Sequence, residues 1–256
     1  MRRLTLLSKP PATPVPAVRT YAGRIVDQLV RGAEMDTRVS GYYLVKRGLD
    51  CAVSLAVAVV AIPVAIAAML LVRLTSRGPA IYTQKRVGYG GRPFTIFKIR
   101  TMIDNCESLT GPRWCVPDDP RVTGVGGVLR RLHIDELPQL WNVLRGDMSL
   151  VGPRPERPEF VTRLARRIPH YEARHAVLPG ITGLAQLFLP PDTEVSHVER
   201  KLVFDLDYAR RQGLGLDLRI LLCTGLKLFG LPVAALRAML PVRRLDPDEN
   251  APRLAA

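Results

Sequence analysis

The chain has 256 residues, enough for one ordinary domain with a buried core, and a formal charge of +14. A balance this basic implies an anionic partner: nucleic acid, anionic lipid or a phosphorylated substrate. Four cysteines (Cys51, Cys106, Cys115 and Cys223) are scattered without a C-x-x-C pair, which excludes a zinc pattern and a disulfide framework and fits a reduced, cytoplasm-facing protein.

Residues 1–40 read as a disordered arm. The apolar stretch after Met1 is too short for a secretory signal, and it runs into Pro10, Pro11, Pro14 and Pro16. Residues 41–76 read as a membrane helix. Its centre, Cys51 to Val72, holds no charge and would extend about 33 Å as a helix, roughly the hydrocarbon thickness of a bilayer. A buried core helix is the alternative. Pro63 sits in the middle and removes a backbone hydrogen bond. Both flanks are basic: Arg31, Arg38, Lys46 and Arg47 before, Arg73, Arg77, Lys85, Arg86 and Arg92 after. Both ends therefore prefer the cytoplasmic side. A helix broken at Pro63 that re-enters one leaflet satisfies both; a kinked span remains open at this point. The same bilayer-length run, with basic residues spread along the chain, argues against a nucleic-acid partner.

Residues 77–241 read as a cytoplasmic domain with interfacial helices. Ile81 to Arg100 is predicted as a hairpin turning at Gly88-Tyr89-Gly90-Gly91. Asp104 to Gly127 reads as an irregular surface loop. Val128 to His133 leads into an amphipathic helix opened by Asp135-Glu136, with Pro138 in its first turn and Gly146 ending it. Arg154 follows between Pro153 and Pro155. Pro158 to Arg174 shows a helical pattern with a basic face, Pro179 to Gly183 a tight loop, and Val198 to Arg211 a charged helix. Leu216 to Leu240 carries two apolar blocks, read as one or two helices in the membrane interface, with an ordinary packed helix as the alternative. Residues 242–256 read as a disordered tail. The expected fold class is α+β: a mainly helical, membrane-associated domain with a small β-hairpin, anchored by a proline-broken re-entrant helix.

Asp135 and Glu136 are the leading candidates for chemistry. Asp135 can be merely a helix N-cap, but a carboxylate at a helix start can also attack phosphorus and form an acyl phosphate. Adjacent helical side chains diverge by about 100°, so the two carboxylates need not share a role. Attack on a pyrophosphate needs neutralised charge. Arg130 and Arg131 upstream and Arg154 downstream can supply it, Arg154 with a backbone restricted by its prolines. Lys98 and Arg100, two apart at the end of a strand, face one side and can line a phosphate site or meet solvent. Gln84, Arg86 and Gly88 read as turn chemistry or substrate contact. His133, His170, His175 and His197 form no ligand-spaced pair and read as structural, as do Trp114 and Trp141, the latter expected to pack on the apolar face of its helix. No dedicated metal motif is visible, although Mg²⁺ commonly takes one or two carboxylates plus substrate phosphates.

In order along the chain stand Lys46-Arg47-Gly48-Leu49-Asp50 before the apolar run, then Gly78-Pro79-Ala80-Ile81-Tyr82-Thr83-Gln84-Lys85-Arg86-Val87-Gly88, Phe94 and Lys98-Ile99-Arg100-Thr101-Met102. The Asp-Glu helix, Gly152-Pro153-Arg154-Pro155 and Pro179-Gly180-Ile181-Thr182-Gly183-Leu184-Ala185-Gln186 complete the set. This ordered set resembles the bacterial sugar transferases, the monotopic polyprenyl-phosphate phosphoglycosyl transferases, over roughly residues 42 to 229. The resemblance favours the re-entrant helix. It implies that Asp135 is the nucleophile and a metal contact, with Glu136 its partner in metal or proton handling. Arg154, Arg130, Lys98 and Arg100 become phosphate-binding candidates. It implies a UDP-sugar donor, polyprenyl (undecaprenyl) phosphate as acceptor, release of UMP, and Mg²⁺ as cofactor. The reaction would open exopolysaccharide, capsule, O-antigen or glycoconjugate assembly at the inner membrane, with the catalytic domain facing the cytoplasm. Larger members carry several transmembrane helices ahead of this domain, so the chain resembles the minimal catalytic form. Leu187 to Asp192 departs from the usual Asn-Gly-Arg-type loop, so sugar specificity is not carried over. A non-catalytic membrane scaffold with a purely structural Asp-Glu helix is the alternative.

Overall fold

The computed structural model describes residues 25–30 except 28, residues 40–190 except 109, 110 and 117, and residues 194–240. Most of the expected arm and the whole expected tail lie outside the described residues. Within the arm's span, residues 25–27 and 29–30 are helical, and Val26 packs into the core.

Helix α1 (Ser40–Thr75) is one unbroken helical run that contains Pro63, so the expected break is not an interruption of the helix. Only 22% of its most apolar window is buried, which removes the core-helix alternative. Val59, Val60, Leu70 and Leu74 are all well exposed. Both of its ends are fastened to the body. Near the start, Lys46 Nζ lies 2.8 Å from Asp217 Oδ2, Arg47 donates to the carbonyls of Val143 and Leu144, and the Leu150 amide donates to Asp50 Oδ1 at 3.2 Å. Near the end, Ala68 and Val72 form a small core with Ile99 and Leu129.

The predicted hairpin is present: β1 (Ile81–Val87) pairs antiparallel with β2 (Pro93–Ile99), with Tyr82 opposite Lys98. Helix α2 (Gly124–Arg131) begins inside the stretch read as irregular loop, capped by Thr123 Oγ1, which accepts the Gly126 amide at 2.9 Å. Helix α3 (Gln139–Arg145) ends at Gly146, whose φ of 88° gives the left-handed C-cap. Trp141 on α3 is 57% exposed and does not pack on the core, contrary to the sequence reading.

A second sheet had no sequence signal: β3 (Ser149–Val151) runs parallel to β4 (Gly180–Thr182). Its close junction requires glycine. A Cβ on Gly152 would strike the Leu178 carbonyl, and one on Gly180 would strike the Gly152 amide. The Gly-Pro-Arg-Pro and Pro-Gly-Ile-Thr-Gly blocks are thus two sides of one junction. Around it pack α4 (Pro158–Ala165), α5 (Leu184–Phe188), α6 (Val195–Arg211), α7 (Leu214–Leu228) and α8 (Val233–Met239). Leu228 and Phe229, where α7 meets α8, face outward at 61% and 90% exposure.

Candidate active site

His133 adopts φ +55°, a left-handed conformation uncommon for a side chain with a Cβ. It ends α2 and starts a single 3₁₀ turn, Ile134–Glu136. Asp135 and Glu136 therefore sit in a turn ahead of α3, not at its first residues. Asp135 is no N-cap: that position belongs to Pro138. Ile134 packs against the end of α1 and holds the turn to that helix.

Lys98, Glu136 and Arg154 meet at one point. Lys98 Nζ lies 2.8 Å from Glu136 Oε1, and Arg154 Nη2 lies 2.5 Å from the same oxygen, with Nη1 at 3.4 Å from Oε2. Glu136 is thus fully engaged. Burial favours its protonated form, but the charges of Arg154 and then Lys98 outweigh it and hold the carboxyl well below its usual range. Burial also lowers the Lys98 ammonium, with the nearby Arg154 cation pushing the same way.

Asp135 differs. It is 7% exposed, yet its carboxylate forms no hydrogen bond or ion pair among the described residues. Burial raises its pKa, and Lys98 only partly opposes that. Arg130 acts on it through charge while its own guanidinium donates to Thr101 Oγ1 at 2.8 Å and reaches Cys115 Sγ at 3.0 Å. Lys98, Arg130 and Arg154 outnumber Asp135 and Glu136, so the site carries a net positive charge that an anion can meet.

Arg100 stands apart. β2 ends at Ile99, so the same-face argument stops one residue short of Arg100. Its guanidinium donates to the Arg77 carbonyl, to Ser76 O and Oγ at 3.1 and 3.0 Å, and to Gly78 O at 3.2 Å. It secures the segment leaving α1, and 5% exposure leaves it little reach to a ligand.

The backbone that aims Arg154 is bolted carbonyl by carbonyl. Pro153 O accepts the Gly180 amide at 2.9 Å, Arg154 O the Arg174 guanidinium at 2.8 Å, Pro155 O the Arg86 guanidinium at 3.1 Å, and Glu156 O the Val87 amide at 2.8 Å. Arg174 is itself paired with Asp205 at 2.7 Å. Asn142 did not stand out in the sequence, and Arg174 reads there only as one cation on a basic helical face, whereas the structure buries it. Asn142, fully buried on α3, accepts the Phe97 amide at 3.2 Å and donates to Thr95 O at 2.7 Å and Asp147 Oδ2 at 3.2 Å. It stitches α3 to β2 beside Lys98. The available signal was an amide placed among apolar neighbours of an amphipathic helix.

Among the described residues no group of three or more His, Cys, Asp and Glu side chains gathers into a metal cage. Asp135 nonetheless offers two uncommitted oxygens, which fits a Mg²⁺ held by one carboxylate and substrate phosphates.

A family profile described as bacterial sugar transferase matches residues 41–230. The chain is 42% identical over 183 residues to the UDP-N-acetylgalactosamine-undecaprenyl-phosphate N-acetylgalactosaminephosphotransferase of Aeromonas hydrophila, covering 72% of this chain and 43% of that protein. It is 45% identical to the UDP-glucose:undecaprenyl-phosphate glucose-1-phosphate transferase of Caulobacter vibrioides, over 70% of this chain and 67% of the relative. It is 43% identical to the putative undecaprenyl-phosphate N-acetylgalactosaminyl 1-phosphate transferase of Bacillus subtilis, over 57% and 82% respectively. The chain thus spans less than half of the Aeromonas relative and most of the Bacillus one. With the profile covering most of its length, the chain belongs to the bacterial sugar transferase family.

Proposed function

We propose that this protein moves a sugar-1-phosphate from a UDP-sugar to undecaprenyl phosphate through a covalent intermediate on Asp135. The observation that carries the reading is the contrast within the dyad: Glu136 is locked by Lys98 and Arg154, while Asp135 is buried and uncommitted. A desolvated carboxylate without hydrogen bonds is the better nucleophile of the two. An Asp135 oxygen attacks the sugar-bearing phosphorus. The phosphorus bond to the bridging oxygen breaks, UMP leaves with that oxygen, and the sugar phosphate remains as an acyl phosphate. An oxygen of undecaprenyl phosphate then attacks the same phosphorus. The acyl–phosphate bond breaks, Asp135 returns as a carboxylate, and undecaprenyl diphosphate sugar departs. Arg154 and Lys98 bind the phosphate oxygens and counter their charge, held in place by Glu136. Asp135 and the substrate phosphates would hold a Mg²⁺ ion, which would add to the neutralisation of the pyrophosphate charge.

The acceptor is a lipid, so the body sits on a membrane. Two facts support a re-entrant α1 at the inner membrane with the body on the cytoplasmic face. Both flanks of α1 are basic, and residues near both ends contact the same body. A straight helix of 36 residues would span about 54 Å and carry its ends to opposite sides of a bilayer. The test is UMP release by the purified protein with Mg²⁺, undecaprenyl phosphate and a panel of UDP-sugars. One donor should yield UMP, and Asp135→Asn should yield none while remaining folded. Wild-type rates from the variant would remove Asp135 from the chemistry, and a folded wild type inert toward every donor would favour a non-catalytic scaffold.

A further inference from the structure

A cleft of ≈ 230 Å³ opens between the 112–114 segment and α4, lined by Arg113, Trp114, Phe160, Arg163, Leu164 and Arg167 with Pro112 and Val195. Nothing described so far uses it. Its walls combine an apolar, aromatic floor with three arginines and no carboxylate. Arg113, Arg163 and Arg167 are exposed, and none is paired with an acidic side chain among the described residues. Arg163 and Arg167 are four apart, on one face of α4 and the turn that follows. Like charges at that spacing repel, a local cost that a bound anion removes. Trp114 stacks at a tilt on Phe160, ring centroids 5.4 Å apart, and its buried indole N–H has no hydrogen-bond partner among the described residues. Packing on Phe160 and the core holds the ring, and its N–H is left to meet a further partner.

The cleft is tied to the site at two points. Cys115, next to Trp114, receives the Arg130 guanidinium that acts on Asp135. Trp114 and Leu164 also wall a smaller cavity of ≈ 30 Å³ that Arg154, Arg174, Lys201 and Gln186 line together with Glu156 and Asp205. A buried Gln186 oxygen there has no hydrogen-bond partner among the described residues. A ligand lying in the cleft would therefore lead toward Arg154. At ≈ 230 Å³ the cleft is smaller than the roughly 300–1,000 Å³ of pockets that hold whole ligands. That size suits one end of an extended ligand.

Resting on the proposed reaction, we propose that this cleft seats the nucleoside end of the UDP-sugar donor, with the base against Trp114 and the ribose and first phosphate among Arg113, Arg163 and Arg167. The pyrophosphate then extends to Arg154 and Lys98, and the sugar-bearing phosphorus to Asp135. Aromatic stacking accepts any flat base, while the arginines demand an anion. The cleft thus recognises the nucleotide part of the donor, and sugar choice is made elsewhere.

The test uses the full chain in detergent or nanodiscs. Donor KM and kcat are measured with UMP release, and UMP binding by calorimetry. Trp114→Ala and the double variant Arg163→Ala/Arg167→Ala should each raise donor KM and weaken UMP binding about tenfold, with kcat within about threefold of wild type. Trp114→Phe should restore most of the loss, and Trp114→Leu, which keeps the packing but offers no ring to stack on, should not. The exposed arginine pair guards against misfolding as the cause. If wild type turns over and both variants keep wild-type KM and UMP affinity, the cleft is not the nucleotide seat, although the reaction stands. If orthophosphate displaces UMP at equal concentration, the cleft is a plain anion site and the proposal fails. If no donor is turned over but UMP binds and the variants weaken it, the nucleotide seat stands and the reaction does not.

Discussion

Asp135 and Glu136 are neighbours whose surroundings push their carboxyls in opposite directions, and each direction has a measurable consequence. Asp135 is raised by burial, so its ionised form is less at home in the folded state than in the unfolded chain. The resulting destabilisation is absent below the ordinary carboxyl range, grows as pH rises from that range to the raised folded pKa, and is complete above it. Asp135→Asn should therefore abolish UMP release yet melt at a higher temperature than wild type at neutral pH, with the gap closing on acidification. A melting series across pH checks this. Glu136 has the opposite sign: its stabilising contribution is present above the unfolded carboxyl range and is lost as pH falls through the depressed folded value. Glu136→Gln should lower stability by about 1–3 kcal/mol, because Lys98 loses its buried partner, while Arg154 is exposed enough to rehydrate. It should also cut kcat by releasing both cations from their aim. A Glu136→Gln variant with full activity and unchanged melting would remove it from the positioning role.

At the scale of elements, what was legible follows the strength of local pattern. The hairpin declared itself through β-rich runs around a glycine turn, and α6 through its length and charge. Helix α2 was hidden because three of its first four residues are glycines, poor helix formers. Gly126 is there for packing: a Cβ would strike the Thr101 backbone, and that close approach lets Arg130 reach Thr101. The β3–β4 pair was hidden because each strand is three residues long and the pairing is distant in sequence. Of the candidate site, Asp135, Glu136, Lys98 and Arg154 were readable as residue types in a motif. Their fastening was not, because Arg174 and Asn142 act through bonds to backbone atoms far along the chain. Arg100 shows the limit of strand periodicity: one residue past the strand end, its side chain turns to a different task. Asn142→Ala should remove the stitch between α3 and β2 at a cost of about 2 kcal/mol or more, since two backbone groups lose their partner. Urea unfolding should show a lower midpoint with an unchanged slope, and kcat should fall with it as Lys98 loosens.

At the scale of the whole molecule, the long helix and the body are one machine, because the fastening of α1 is polar and buried. Lys46 and Asp217 are 7% and 2% exposed at their side chains, and Tyr42 and Tyr208 complete the cluster at 2.8 Å each from the Asp217 carboxylate. A buried pair of this kind is weak evidence for net stability but a strong determinant of register: losing one member leaves the other charged and dry. Lys46→Met should therefore destabilise by about 3–5 kcal/mol, and adding Asp217→Leu should recover part of it. The same cluster fixes the start of α1 on the body, while Val72 and the Arg100-held segment 76–78 fix its end. Both ends of α1 are bound to one body and its apolar middle is exposed, which is what supports the proposed re-entrant arrangement; Pro63, whose ring removes one backbone bond within the continuous helix, is the position where a bend would cost least. Single cysteines at Gly41 and Arg77, in a chain with its native cysteines replaced, should both react with a membrane-impermeant maleimide added from the cytoplasmic side of inverted vesicles. Labelling of one position only, with the other reached solely after permeabilisation, would mean that α1 crosses the membrane and that its two anchorages do not coexist there. Under the proposed re-entrant arrangement, Pro63→Leu restores the backbone bond and stiffens α1, so the Ile134 turn that leans on its end should shift Asp135, and kcat should fall while the bound fraction in membranes stays the same.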